Sequence, residues 1–192
     1  ELDEAARTVF LKKAGMSLDL GAIGKGYAAD VIAEYLRDAG IGSAILDLGG
    51  NLVALGEKPD GSPWAIGIQD PAGERGEHLG IVRVKDRTLV SSGVYERYFE
   101  QDGQTYHHIL DPETGWPVDN ELLAVTIITG RSEDADALST SVFAMGLRRG
   151  LETVEALEDA EAVFVTKDNK LYVTSGLKET FTLTNEAYAP AD

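Results

Sequence analysis

The sequence predicts an α+β fold, a largely antiparallel sheet with helices packed against it, organised as a single domain over residues 1–192. Three observations predict it. Candidate strands outnumber candidate helices. Tight-turn signals such as Gln101-Asp-Gly103 and Lys167-Asp-Asn169 join neighbouring strands late in the chain. Regular β-α alternation, the mark of a parallel sheet, is missing.

The elements follow in order. Thr8–Lys12 and Met16–Leu20 are short apolar stretches around Ala14-Gly15 and read as strands. A helix runs from about Lys25 to Ala39, where Tyr27, Val31, Tyr35 and Ala39 recur at i+4 beside Ala28, Ile32 and Leu36. Gly40 and Gly42 suit its C-terminal end. Ser43–Leu48 is an apolar run broken by Gly49-Gly50-Asn51. Leu52–Leu55 and Trp64–Gln69 read as strands linked by the turn-rich stretch from Glu57 to Pro63. Residues 70–78 form a loop, and strands follow at Leu79–Lys85 and Arg87–Ser91. Tyr95–Glu100 and Gln104–Ile109 flank the Gln101-Asp-Gly103 turn. Asp111-Pro-Glu-Thr-Gly-Trp-Pro117 is a turn that Pro and Gly keep irregular. Leu122–Thr129 is a β-branched strand. Ser132 is placed to cap the next helix and Gly146 to end it, with Leu138, Val142 and Met145 as its core stripe. A further helix spans Arg148–Leu157. Glu161–Thr166 and Leu171–Thr174 form a hairpin, and Thr180–Leu183 is the last strand.

Composition narrows the function. Lys and Arg number 17 against 33 Asp and Glu, a formal net charge of -16. Such a surface repels phosphate backbones and anionic lipids, so nucleic acid is excluded as a general partner. A polyanionic ligand must instead meet a local group of backbone N–H donors, a lysine or a metal. The absence of cysteine excludes disulfides, thiolate metal sites and a cysteine nucleophile. No run reaches membrane-spanning length. The chain begins at Glu1 with no signal-peptide pattern after it, as expected of a processed or trimmed start.

Three segments carry candidate chemistry. Asp136 and Thr140 lie one helical turn apart in the stretch from Asp134 to Gly146, so their oxygens project from one face and can hold part of the shell of a hard cation such as Mg²⁺. Gly21-Ala-Ile-Gly-Lys-Gly26 opens a helix, where free N–H groups favour phosphate; it matches neither the Walker pattern nor the dinucleotide fingerprint. His107 and His108 end a strand and point to opposite faces, so at most one of them serves any pocket, as general acid or base or as a donor. Ser91-Ser-Gly-Val-Tyr-Glu-Arg97 either lines a ligand or forms a bend with Arg97 exposed. His78 reads as a surface residue. No Gly-x-Ser-x-Gly elbow is present, which excludes the usual serine hydrolase.

Taken together, five stretches resemble the FAD:protein FMN transferase family, the ApbE-type flavin transferases once described as thiamine-biosynthesis lipoproteins. They are Leu18-Asp-Leu-Gly-Ala-Ile-Gly-Lys-Gly-Tyr-Ala-Ala-Asp30, Leu48-Gly-Gly-Asn51, Ser91-Ser-Gly-Val-Tyr95, His108-Ile-Leu-Asp-Pro-Glu-Thr-Gly-Trp-Pro117 and Asp134-Ala-Asp-Ala-Leu-Ser-Thr140. Order and spacing agree from about Met16 to Gly146. The resemblance implies an ApbE-like fold. It implies an enzyme that binds FAD and Mg²⁺, cleaves the diphosphate, and esterifies FMN onto a Thr or Ser hydroxyl of a target flavoprotein, releasing AMP. It implies Asp136, Thr140 and the Ala22 carbonyl as metal ligands. It also implies Lys25, Gly26, Ser92, His108 and Ile109 as flavin-nucleotide contacts. The proton of the attacking hydroxyl goes to His108 or Asp136. An FAD pyrophosphatase yielding FMN and AMP, or a non-catalytic flavin-binding fragment, are the alternative readings. Family members carry a leading segment that contributes to the flavin pocket, and the resemblance covers only the later part of such a protein. It further implies an extracytoplasmic setting, with membrane association only through an N-terminal anchor outside this sequence; a cytoplasmic setting is the alternative.

Overall fold

A computed structural model describes residues 1–191. The chain opens on an exposed hairpin, β1 (Leu2–Asp3) with β2 (Thr8–Val9), and a loop leads to helix α1 (Gly24–Asp38). Strands β3 (Ala44–Asp47), β4 (Asn51–Leu55), β5 (Trp64–Gln69), β6 (His78–Val84) and β7 (Arg87–Gly93) follow. Then come the hairpin β8 (Tyr98–Gln101) and β9 (Gln104–His107), and strand β10 (Leu122–Thr129). Helices α2 (Ser132–Met145) and α3 (Leu147–Glu155) precede β11 (Ala160–Thr166), β12 (Lys170–Val173), β13 (Phe181–Leu183) and β14 (Ala189–Pro190).

Seven strands form the main sheet in the order β14-β12-β11-β10-β7-β4-β3. Its pairs are antiparallel except β12 with β14. A smaller antiparallel sheet, β13-β6-β5, lies against one face. Side-chain alternation sends successive residues to opposite faces and so builds two cores. Val90, Val125 and Ile127 pack beneath α2 and α3 with Phe143 and Val154. Ala54, Leu89, Ala124 and Ile128 face the smaller sheet and meet Ile68, Leu79 and Val82. Each fully buried Val, Leu or Phe contributes roughly 1.5–3 kcal/mol.

Helix α1 ends as its glycine predicts. Gly40 takes a positive φ of 81°, its N–H donates to the Arg37 carbonyl, and the Ile41 N–H reaches back to Leu36. Its apolar repeat, however, faces outward: Tyr27 is 60% and Tyr35 72% exposed, while Gly26, Ala29 and Ala33 are buried. The small residues win because α1 crosses close to α2, and only a narrow face fits there.

Four further expectations change. Met16–Leu20 forms no strand; Leu18 and Leu20 are exposed, and no neighbouring edge pairs with them. Ser132 is the first residue of α2 rather than its cap, because its hydroxyl is committed to Asn51. Met145 is exposed, and Phe143 fills the core in its place. Thr180–Leu183 is not last: the tail returns to lay β14 beside β12. No helix among the described residues is long and apolar enough to cross a membrane.

Candidate functional site

Two helices build the site, and each holds the other's N-terminus. The Asp136 side chain, on α2 and 5% exposed, accepts the Gly26 N–H of α1 at 2.9 Å. Asp30, on α1, accepts the Ser132 and Glu133 N–H groups of α2 at 2.8 and 3.0 Å. Both carboxylates satisfy helix-start donors that lack partners within their own helix. Gly26 is required here, since a Cβ at this position would lie 2.2 Å from the Ser132 carbonyl oxygen.

The Ala22 carbonyl precedes α1, whose cap is Ile23, and nothing among the described residues donates to it. Among the described residues nothing donates to the second oxygen of Asp136, Oδ1.

Thr140 lies one turn along α2, facing β7. Ser92 Oγ donates to Ser139 Oγ at 2.9 Å, and Ser139 Oγ donates onward to the Asp136 carbonyl at 3.0 Å. A hydroxyl has one proton, so at the 3.4 Å Ser92–Thr140 contact Thr140 is the donor. Its lone pairs stay open. The back-bond that threonine can make within a helix is made by Ser141 instead, to the Ala137 carbonyl at 2.8 Å. Asp136 Oδ1, Thr140 Oγ1 and the Ala22 carbonyl are thus hard oxygen donors with free lone pairs, a chemistry that fits Mg²⁺. The set has one carboxylate; among the described residues no group of three or more His, Asp or Glu side chains converges.

On the other face of the main sheet lies a cavity of about 750 Å³. Leu52, Leu89, Ser91 and Thr126 form its floor, with Ser91 and Thr126 hydroxyls 2.8 Å apart. The loop after β5 forms a wall that includes Pro71 and Arg75. Asp70, buried, anchors that wall by accepting from the Ala72 N–H, Asn185 Nδ2 and the Tyr188 hydroxyl at 2.9, 2.8 and 2.5 Å. The mouth is lined by Lys25, Gly50, Glu96 and Arg97. Gly49 and Gly50 both take positive φ in the β3–β4 turn, and Asp47 Oδ1 accepts both of their N–H groups.

The two histidines separate as their alternation predicts. His107 is buried; its Nε2–H donates to the Val118 carbonyl at 3.0 Å and its Nδ1 accepts the Ile109 N–H at 3.3 Å. Burial holds its pKa below the ordinary histidine value. His108 is exposed, and the Arg97 carbonyl accepts both its backbone N–H (3.1 Å) and its ring Nδ1–H (3.2 Å). That contact fixes the tautomer and leaves Nε2 as the basic nitrogen. Ile109 packs in the helix-side core.

Sequence reasoning missed Glu96. Although the residue is exposed, its carboxyl sits at the cavity mouth, where partial desolvation pushes its pKa up. Lys25, His108 and Arg97 pull it back, and Asp136 adds to the rise. The signal was its place in Tyr95-Glu-Arg97, between a cavity floor strand and the residue that holds His108.

The model of the ApbE family matches residues 1–164. An FAD:protein FMN transferase of Klebsiella pneumoniae is 42% identical over 191 residues, covering 100% of this chain and 58% of the relative. That of Treponema pallidum is 41% identical over 181 residues, 90% of this chain and 50% of the relative. The crystal structure of the ApbE protein from Thermotoga maritima matches with a TM-score of 0.83 at 32% identity, covering 94% of this chain and 58% of that one. The flavin transferase ApbE from Vibrio cholerae matches at 0.73 and 34%, covering 85% of this chain and 52% of that one. The chain thus spans between half and three-fifths of the length of these relatives. By sequence, by fold and by the disposition of its motifs, the chain belongs to the ApbE family.

Proposed function

We propose that this chain carries the diphosphate-handling part of an FAD:protein FMN transferase, moving FMN from FAD onto a Thr or Ser hydroxyl of a target flavoprotein with release of AMP. One observation carries the reading. Gly26 and Asp136, far apart in sequence, meet where two helices cap each other, with Lys25 beside Gly26 in the chain and Thr140 one turn on from Asp136. The names of the relatives supply the reaction class.

Asp136 Oδ1, Thr140 Oγ1 and the Ala22 carbonyl would hold Mg²⁺. When bound, that cation neutralises charge on the diphosphate and aligns its oxygens. Lys25 lines the cavity mouth as a second positive charge for the same anion. Gly26 brings α1 close enough for Asp136 to fix the start of the helix, and Ser92 orients Thr140 through its hydroxyl. Ile109 anchors the segment that carries His108.

The acceptor oxygen attacks the FMN phosphorus, and the bond from that phosphorus to the bridging oxygen breaks. The electron pair leaves on the AMP phosphate. His108 Nε2 takes the acceptor's proton. Asp136 is the poorer base, because its carboxylate already serves the Gly26 amide and the metal position.

Incubating the protein with FAD, Mg²⁺ and an acceptor flavoprotein, then weighing the acceptor, tests the reading. One covalent FMN per acceptor, reduced about 100-fold or more in Asp136→Ala, is the expected result. Free FMN with an unmodified acceptor would make the reaction a hydrolysis, and undiminished transfer by Asp136→Ala would remove Asp136 from the metal site.

A further inference from the structure

The hairpin β8–β9 is a two-stranded sheet of its own, and its two faces differ. Tyr98 pairs with His107 and Phe99 with Tyr106. The ladder runs one step further, where the His108 N–H donates to the Arg97 carbonyl. Alternation puts His107 and Ile109 on the core side, where both are buried, and Tyr106, His108 and Leu110 on the opposite side. There Phe99 stacks on Tyr106, with ring centroids 5.0 Å apart and planes 11° from parallel, and Trp116 meets Tyr106 at 6.2 Å. His108 thus stands at one end of an aromatic shelf.

The shelf does not hold the fold together. Phe99 is 59% and Trp116 64% exposed, and neither packs into a core. Contiguous exposed rings of this kind mark an interaction site. Charge selects the class of partner. Glu100 follows Phe99, Asp102 sits in the hairpin turn and Glu113 in the turn before Trp116, and all three are exposed. Residues 98–121 contain no lysine or arginine to offset them. Such a rim repels a nucleotide diphosphate or an anionic lipid surface and favours a protein surface that bears Lys or Arg. Position selects the role. Arg97, opposite His108 in the ladder, lines the cavity mouth, so the shelf begins where the cavity opens.

We propose that Phe99, Tyr106 and Trp116 form the docking shelf for the acceptor flavoprotein. The rings seat an apolar side chain of the acceptor, its basic groups meet the acidic rim, and its Thr or Ser hydroxyl then lies over His108. An extended chain rises about 3.3 Å per residue, and the shelf ring nearest His108 in the chain belongs to Tyr106, so the seated side chain lies about two positions from the modified hydroxyl. The proposal rests on the FMN-transfer reading above and adds to it the surface that receives the acceptor.

Trp116 reports docking without chemistry. The chain has two tryptophans, so Trp64→Phe leaves Trp116 as the sole emitter. With FAD left out, titrating that variant with the flavin-free acceptor of the transfer assay should shift Trp116 emission to the blue. In the transfer assay, Phe99→Ser and Trp116→Ser should each raise the KM for the acceptor about tenfold, while the KM for FAD and kcat at saturating acceptor hold. Trp116→Phe should keep most of the affinity. Glu113→Lys should raise the acceptor KM severalfold, and more so at low salt. Thermal melts of the serine variants should match the unaltered protein, since the rings lie outside the cores. Trp116 emission that ignores saturating acceptor overturns the proposal, as does an unchanged acceptor KM in both serine variants. A rise confined to the KM for FAD would make the shelf a flavin platform and also overturn it. Absence of transfer in the unaltered protein would count against the FMN-transfer reading, while Trp116 emission still decides on the shelf.

Discussion

Asp136 and Gly26 stand 110 residues apart in sequence, and the carboxylate of one accepts the amide of the other at 2.9 Å. That bond ties the glycine-rich start of α1 to α2 and supplies a partner to a helix-start N–H that its own helix leaves open.

The reverse bond is the first prediction. Asp30 caps α2 across the same junction by accepting two backbone N–H groups. Asp30→Ala should destabilise the fold by about 1–2 kcal/mol, the range for loss of a helix cap. Urea unfolding followed by circular dichroism measures it. Asp30→Asn should lose less, because the amide oxygen still accepts.

Gly26 sets the distance between the helices. The methyl of Gly26→Ala would meet backbone at Ser132 and Glu133, which has no flexible side chain to yield. A cost of about 3 kcal/mol is expected, a drop of several degrees in Tm. Gly24→Ala, two residues earlier, finds open space and should be neutral or slightly stabilising. Thermal melts of the pair separate a packing requirement from a general need for glycine.

His107 gives a pH dependence whose sign is fixed. Burial lowers its folded pKa below the ordinary value of 6.5, which the unfolded chain retains. The unfolded state therefore binds the proton more readily. The stabilisation from a neutral, buried His107 is complete above pH 6.5 and is lost as pH falls from there through the folded pKa. Unfolding free energies at pH 7.5 and 5.5 should differ more in the unaltered protein than in His107→Asn. An equal or larger pH effect in the variant would place the titrating group elsewhere.

The C-terminal tail steadies the cavity wall. Tyr188→Phe removes the hydroxyl from buried Asp70 and leaves it the Ala72 N–H and Asn185 as donors. The expected cost is about 1–3 kcal/mol. Because the loop carrying Arg75 hangs from Asp70, the same change should weaken FAD binding more than it slows the chemical step. Stability and KM, measured on one preparation, check both.

Much of this architecture is legible in the sequence because it depends on local patterns. The β-branched run Leu122–Thr129 is β10 to the residue, and Gly146, at a positive φ of 77°, ends α2 as its conformational freedom predicts. The 102 and 103 positions both take positive φ, which is what an Asp-Gly turn between strands requires. What escaped is non-local. Periodicity ranks side chains by bulk, so it chose Tyr27, Val31 and Tyr35 as the stripe of α1, whereas contact with α2 chose Gly26, Ala29 and Ala33. The cap of α2 comes from another helix, a partner that no window around Ser132 contains. Strand β14 is two residues long and exists only because β12 offers it an edge. Glu96 had no spacing signature; the fold brings its carboxylate to the Gly49–Gly50 turn at the cavity mouth.

Manganese, an EPR-visible substitute for Mg²⁺, tests the central claim most directly. The measurement is Mn²⁺ binding in the presence of FAD by the unaltered protein, Asp136→Asn and Thr140→Val. Tight uptake by the first, weakened at least about tenfold in each variant, is the predicted result. Equal affinity in all three would contradict a cation held by Asp136 and Thr140.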